Sequence, residues 1–145
     1  METLKNLKLL LANLWVSFFN LRNAHWNIKA VNFLELHKLF QSLYELIENN
    51  ADDIAERIRQ LGDMAPASMV DYMSITTLKG AKPLETVTDA FSIAVSDLTA
   101  INTQVIDIMS KLDAKDEASR NLLAGICQEL EKQIWILKSF ILINA

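Results

Sequence analysis

Between Leu34 and Leu61 the chain reads LELHKLFQSLYELIENNADDIAERIRQL, with no glycine or proline to interrupt it. Leu36, Phe40, Leu43, Ile47, Ala51, Ile54, Ile58 and Leu61 follow one another in steps of three and four. That spacing lays an unbroken apolar seam along one side of a long α-helix, and the seam must be covered by another helix. Turned away from it are His37, Gln41, Glu48, Asp52 and Glu56, the side chains of metal binding and acid–base chemistry. Any fold for this chain has to bury the first face and leave the second reachable.

The remaining sequence supplies the partners. Leu4, Leu7, Leu11, Leu14, Phe18, Leu21, His25 and Ile28 form a second such seam over Thr3 to Lys29. Ala12, Trp15, Phe19 and Trp26 run beside it, more apolar surface than one neighbouring helix covers, and a second subunit is the expected cover. The bend at Ala30–Asn32 is short enough to make the two helices antiparallel neighbours. Asn32 is placed to cap the second helix, with Glu35 completing a capping box, and Gly62 is placed to end it.

About twenty residues then pass before Pro83, too many for a structureless loop in a compact domain. Ser68 followed by Asp71, amid Met69, Val70, Tyr72 and Met73, predicts a short crossing helix. Pro83 suits the first turn of a third long helix with the seam Leu84, Val87, Phe91, Ala94, Leu98, Ile101, Val105, Ile108 and Leu112. Asp113 is placed to cap a fourth, with Asp116 and Glu117 in its first turn and the seam Leu123, Ile126, Leu130, Ile134, Leu137 and Ile141. The chain is expected to be one all-α domain over residues 1–145, a ferritin-like four-helix bundle with a short extra helix in the long crossover between helices two and three.

Composition narrows the function. Only three Gly and two Pro among 145 residues argue against a many-stranded β fold. The net charge of −4 and the lack of any Lys/Arg run give no means of neutralising a phosphate backbone. Lys5 and Lys8 before the apolar run Leu9–Phe19 imitate a signal peptide, but Asn20, Arg22 and Asn23 stand where a small-residue cleavage site belongs. That run is also far short of the roughly 20 residues that span a bilayer. The single Cys127 forms no intrachain disulfide, and a cytoplasmic location with no membrane association is expected.

The short bend brings His25 and His37 together. Asp52 and Glu56 stand at i and i+4, so they share a helix face and could hold a cation; equally, they could form a solvated acidic face paired with Arg57 and Arg59. His37 and Asp52 are fifteen residues apart on one helix, or about 22 Å at 1.5 Å per residue. They cannot bind one ion within one chain. Two copies of the helix crossing antiparallel about a two-fold axis would set His37 of one beside Asp52 and Glu56 of the other, creating two identical sites shared between subunits. A di-iron centre inside the bundle, with Glu-x-x-His on two helices, is excluded, because Arg22 and Leu34 stand three residues before the two histidines.

The run AHWNIKAVNFLELHKLFQSLYELIENNADDIAERIRQLG, Ala24 to Gly62, resembles the signature of the Dps family, the dodecameric mini-ferritins: His-Trp-Asn, a second His twelve residues on, then Asp-x-x-x-Glu before Arg and Leu-Gly. The remainder of the chain, including Ile134-Trp135, resembles the family more loosely. The resemblance implies a hollow shell of twelve four-helix subunits, with the short helix at the two-fold interface. It assigns His25 and His37 as iron ligands from one subunit and Asp52 and Glu56 as ligands from its mate, and places Trp26 beside the centre. It implies oxidation of Fe(II), preferably by hydrogen peroxide, and storage of the ferric product as protection against oxidative damage.

There are departures from the family's pattern. Gln41 stands where the family commonly has a carboxylate one turn after the second histidine, so a second metal position is expected to be labile, or completed by water, Glu45 or Glu48. Acids near the start of the last helix line the family's three-fold pores; Glu117, with Asp113 and Asp116 near it, fits that place, although Asn121 stands one turn on. The family's mobile Lys-rich tail has no counterpart, and DNA binding is not expected. The competing reading is a noncatalytic helical shell or scaffold whose iron site has degraded at Gln41.

Overall fold

The computed structural model describes the backbone of residues 1–144 and the side chains of residues 1–140. Five helices follow in order: α1, Glu2–Asn27; α2, Phe33–Gln60; α3, Met69–Ile75; α4, Val87–Lys111; and α5, Glu117–Asn144. The four long ones form a bundle in which α1 packs against α2 and α4, and α4 against α5, while α3 lies on α1. The two expected seams of the first helix pair are buried: Leu7, Leu11, Leu14, Phe18 and Leu21 meet Leu36, Phe40, Leu43, Ile47 and Ile54 in one core that Phe91, Leu98, Leu123 and Leu130 complete. No helix among the described residues is long and apolar enough to cross a membrane. The seam position Ile141 lies outside the described side chains.

The helix ends show where local chemistry acts. At Gly62, φ is +92°, and the Gly62 amide donates to Arg59 O while that of Asp63 donates to Ile58 O. This is a Schellman ending, which a residue with a Cβ would adopt only under strain. Ser68 caps α3 by accepting from the Asp71 amide at 3.1 Å, as its position predicts.

Three caps differ from expectation. Asn32 precedes α2, but its side chain makes no cap bond; its Nδ2 reaches Glu35 Oε2 at 3.5 Å instead. α4 starts after Thr86, whose hydroxyl accepts from the Asp89 amide. Pro83 therefore sits before the helix, while Leu84 still buries its side chain. α5 is capped by Asp116, which accepts from the Ser119 amide, because Asp113 is used in a turn accepting from Lys115.

The crossover is held by three asparagines of α1. Asn13 Oδ1 accepts from the Thr77 amide and the Thr76 hydroxyl. Asn20 donates to Lys79 O and accepts from the Ala81 amide; Asn23 donates to Lys82 O and accepts from the Leu84 amide. Side-chain amides carry a donor and an acceptor each, so they can satisfy backbone groups of a segment that has no ladder of its own.

Candidate metal centre

The turn between α1 and α2 sets the two histidines face to face. Their ring centroids are 3.7 Å apart, with the planes 12° from parallel. His25 Nδ1 lies 2.7 Å from His37 O, and His37 Nδ1 lies 2.7 Å from His25 O. A carbonyl oxygen can only accept, so each Nδ1 carries the hydrogen and donates it. Nε2 is then the nitrogen of each ring left for a ligand role, the arrangement found where backbone carbonyls orient imidazole ligands. His25 is buried and His37 half-buried. Tyr44 closes over His25 edge to face at 5.2 Å, and Phe33 stacks on His37 at 5.0 Å.

Asp52 and Glu56 are both exposed, further along α2. Arg57 and Arg59, the nearby arginines that could have paired with them, are both engaged elsewhere. Arg57 donates to Asp116 Oδ1 at 2.9 Å and to the Ser119 hydroxyl at 2.8 Å. Arg59 donates to Asp63 O. Asp52 and Glu56 have no hydrogen bond or ion pair among the described residues, leaving two hard carboxylates free on one helix face.

The structure brings His25 and His37 together and does not bring Asp52 and Glu56 to them. Among the described residues no three His, Cys, Asp or Glu side chains converge on one point within the chain. Imidazole with hard carboxylates is a donor combination that fits a divalent iron ion, and here the imidazoles stand at the α1–α2 turn and the carboxylates further along α2.

Gln41, one turn beyond His37, donates from Nε2 to Glu45 Oε1 at 2.9 Å. Gln41 is half-buried and Glu45 exposed on α2. Trp26 is 62% exposed, with the Arg22 guanidinium 5.0 Å from its ring centre. At the start of α5, Glu117 and Asp113 are exposed. The Asp116 carboxyl is pushed up by burial, but bonds from Ser119 and the Arg57 guanidinium outweigh this and leave it below its ordinary value. Asp116 is thus committed to its cap and its ion pair.

One feature went unseen in the sequence. Asp97 of α4 is buried and accepts from Asn20 Nδ2 at 2.8 Å; burial raises its carboxyl to about 6, the Asn20 bond offsetting only part of that. Its place on the α1-facing side of α4 was the only available signal.

A family model for the ferritin-like domain matches residues 4–142. The chain is 33% identical over 129 residues to the Bacillus anthracis DNA protection during starvation protein 2, covering 87% of each chain. It is 31% identical over 131 residues to general stress protein 20U of Bacillus subtilis, covering 90% of each. Among solved structures, the DPS protein from Vibrio cholerae O1, described as a member of a broad superfamily of ferritin-like diiron-carboxylate proteins, superposes with a TM-score of 0.93 at 28% identity, covering 97% of this chain and 89% of that one. A Dps protein from Bacillus brevis superposes with a TM-score of 0.91 at 29% identity, covering 96% and 94%. With the bundle, the crossing helix and the paired histidines in place, the chain belongs to the Dps family of ferritin-like proteins.

Proposed function

We propose that this protein is a ferroxidase and iron-storage cage, a dodecamer that takes Fe(II) at sites shared across two-fold interfaces and oxidises it, preferably with hydrogen peroxide. The observation that carries the reading is the reciprocal pair of Nδ1–carbonyl bonds between His25 and His37. It orients two imidazoles toward each other at the turn that joins α1 to α2. Asp52 and Glu56, with no hydrogen bond or ion pair among the described residues and about 22 and 28 Å from His37 along the same helix, are the complementary half.

In the assembly His25 and His37 of one subunit and Asp52 and Glu56 of its mate would hold Fe(II). Each Fe(II) gives up one electron, and one hydrogen peroxide accepts two, so two Fe(II) consume one peroxide without releasing hydroxyl radical. The protons released by hydrolysis of the ferric product leave through solvent, and that product is stored within the shell. Glu117 would line an entry pore for cations. Exposed Phe19, Trp26, Met69, Val70 and Met73 on α1 and α3 supply apolar surface for the two-fold contact. The net charge of −4 supports a protein that leaves DNA alone, and the lone Cys127 fits a reducing compartment such as the cytoplasm.

The test compares peroxide consumption by Fe(II)-loaded protein with that of a His37→Ala, Asp52→Ala double variant, alongside native mass. Twelve chains of 16.4 kDa give roughly 200 kDa for the closed shell. Loss of peroxide consumption in an intact shell is expected. Equal rates in an intact shell would instead favour the noncatalytic scaffold, for which the neutral Gln41 amide is the supporting observation.

A further inference from the structure

Arg22 has an environment that the proposed chemistry does not explain. Its guanidinium carbon lies 4.9 Å from the centre of the Tyr44 ring, 5.0 Å from that of Trp26 and 5.5 Å from that of Phe18. Three aromatic faces thus fix the position of a planar cation that carries five N–H donors. None of those donors has a hydrogen-bond or ion-pair partner among the described residues. Phe18 and Tyr44 are buried and Trp26 is exposed, so the cage is closed on the bundle side and open outward. Contact with three rings holds the guanidinium in place while its N–H donors stay free of partners among the described residues on a half-exposed surface, where a carboxylate from outside the chain would match them.

We infer that Arg22 is a positioning residue that grips the Asp52 carboxylate of the two-fold mate, orienting it toward the His25–His37 pair. The inference rests on the shared-site reading for its geometry. The reciprocal bonds between His25 and His37 set the register of α1 against α2. Because the two helices are antiparallel, one turn back along α1 to Arg22 is one turn forward along α2 from His37, toward Tyr44. On a mate's α2 crossing antiparallel, that same step leads away from Glu56 and to Asp52. Asp52 is exposed and unpaired, and a guanidinium fork matches the two oxygens of a carboxylate. One of those oxygens then remains for a metal ion, as expected of a ligand held from behind. Exposed Phe19 and Trp26 flank Arg22, so the pair would be withdrawn from water when the apolar surface is covered.

The experiment is a double-mutant cycle on apo-protein, following the concentration dependence of subunit association. Arg22→Met keeps the stem among the rings and removes the charge; Asp52→Asn removes the charge at an exposed position with no hydrogen bond or ion pair among the described residues. Arg22→Met should weaken association about tenfold in the parent and less than twofold in the Asp52→Asn background, since contacting groups couple by this order. Arg22→Lys should restore association only in part, because an ammonium lacks the planar fork. Zn(II) binding, a redox-inert probe, is measured on the same preparations. Additive effects, full rescue by lysine, or coupling to Glu48→Gln instead of Asp52→Asn would overturn the assignment of Arg22 to Asp52, even where Zn(II) binds the parent shell and not the His37→Ala, Asp52→Ala variant. Coupling between Arg22 and Asp52 in a shell that binds neither Zn(II) nor Fe(II) would uphold the grip and count against the ferroxidase reading.

Discussion

His25 and His37 donate to each other's backbone carbonyl oxygen at 2.7 Å, so the pair that offers two ligand atoms is also a latch between the end of α1 and the start of α2. The carbonyl of His25 lies in the last turn of its helix, where intrahelical partners run out. A candidate metal site here is inseparable from a structural joint.

His37→Ala should therefore do two things. It should abolish iron oxidation, and it should lower the stability of the apo-protein by about 1–2 kcal/mol through the lost hydrogen bond and ring contact. His37→Asn keeps a short side-chain donor near the His25 carbonyl. It should recover much of the stability and none of the oxidation. Thermal unfolding of metal-free protein and Fe(II) oxidation, measured on all three forms, separate the two roles; equal stability of the parent and the alanine variant would deny the latch.

Much of this arrangement is legible in residue order, for a physical reason. Seams such as Leu36–Phe40–Leu43–Ile47 and endings such as Gly62 depend on neighbours within a few residues, which the sequence lists side by side. The division of the site follows from the length of one helix, since no packing can shorten the 1.5 Å rise between His37 and Asp52. What stayed hidden depends on partners far away in the chain. Asn13, Asn20 and Asn23 bind a crossover about sixty residues on, and nothing in their own surroundings marks them. Pro83 and Asp113 look like helix starts, yet Thr86 and Asp116 take those places because their side chains reach the amide three residues on. The fates of Arg57 and Arg59 were likewise decided by tertiary contacts, and those contacts freed Asp52 and Glu56.

Asp97 makes stability depend on pH in an unusual direction. Burial raises its folded-state carboxyl to about 6, above the ordinary value near 4. The native state therefore holds its proton more tightly than the unfolded chain does. The stabilisation is complete below the ordinary value and is lost as pH rises through about 6. A shift of roughly two units corresponds to about 2–3 kcal/mol. Asp97→Asn keeps an acceptor for Asn20 Nδ2 and carries no charge. It should be more stable than the parent by that order at pH 8 and nearly equal to it at pH 4, as denaturant unfolding of metal-free protein at the two values would reveal. An asparagine variant less stable at pH 8 would contradict the assignment.

A net charge of −4 with no run of Lys or Arg is a poor match for a duplex, because nonspecific binding draws on released counterions at each neutralised phosphate. Mixing the assembled protein with linear duplex DNA at physiological salt should give no gel shift, and lowering the salt should add little. A strong shift that disappears as salt is raised would show a cationic surface created by assembly.

In the proposed shared site, Gln41 is the residue that would set how many metal ions are held. Its amide donates to Glu45 and offers a neutral oxygen, a weaker partner for Fe(II) than a carboxylate. Stoichiometric Fe(II) titration without oxidant should give one tight ion and one labile ion per site. Gln41→Glu supplies the missing charge one turn from His37, but it also replaces a hydrogen bond to Glu45 with repulsion between like charges at i and i+4. The variant should tighten the second ion severalfold, on the scale of a single ligand or its orienting partner, while slightly destabilising the metal-free protein. Two equally tight ions in the parent would remove the reason for treating Gln41 as the weak point of the centre.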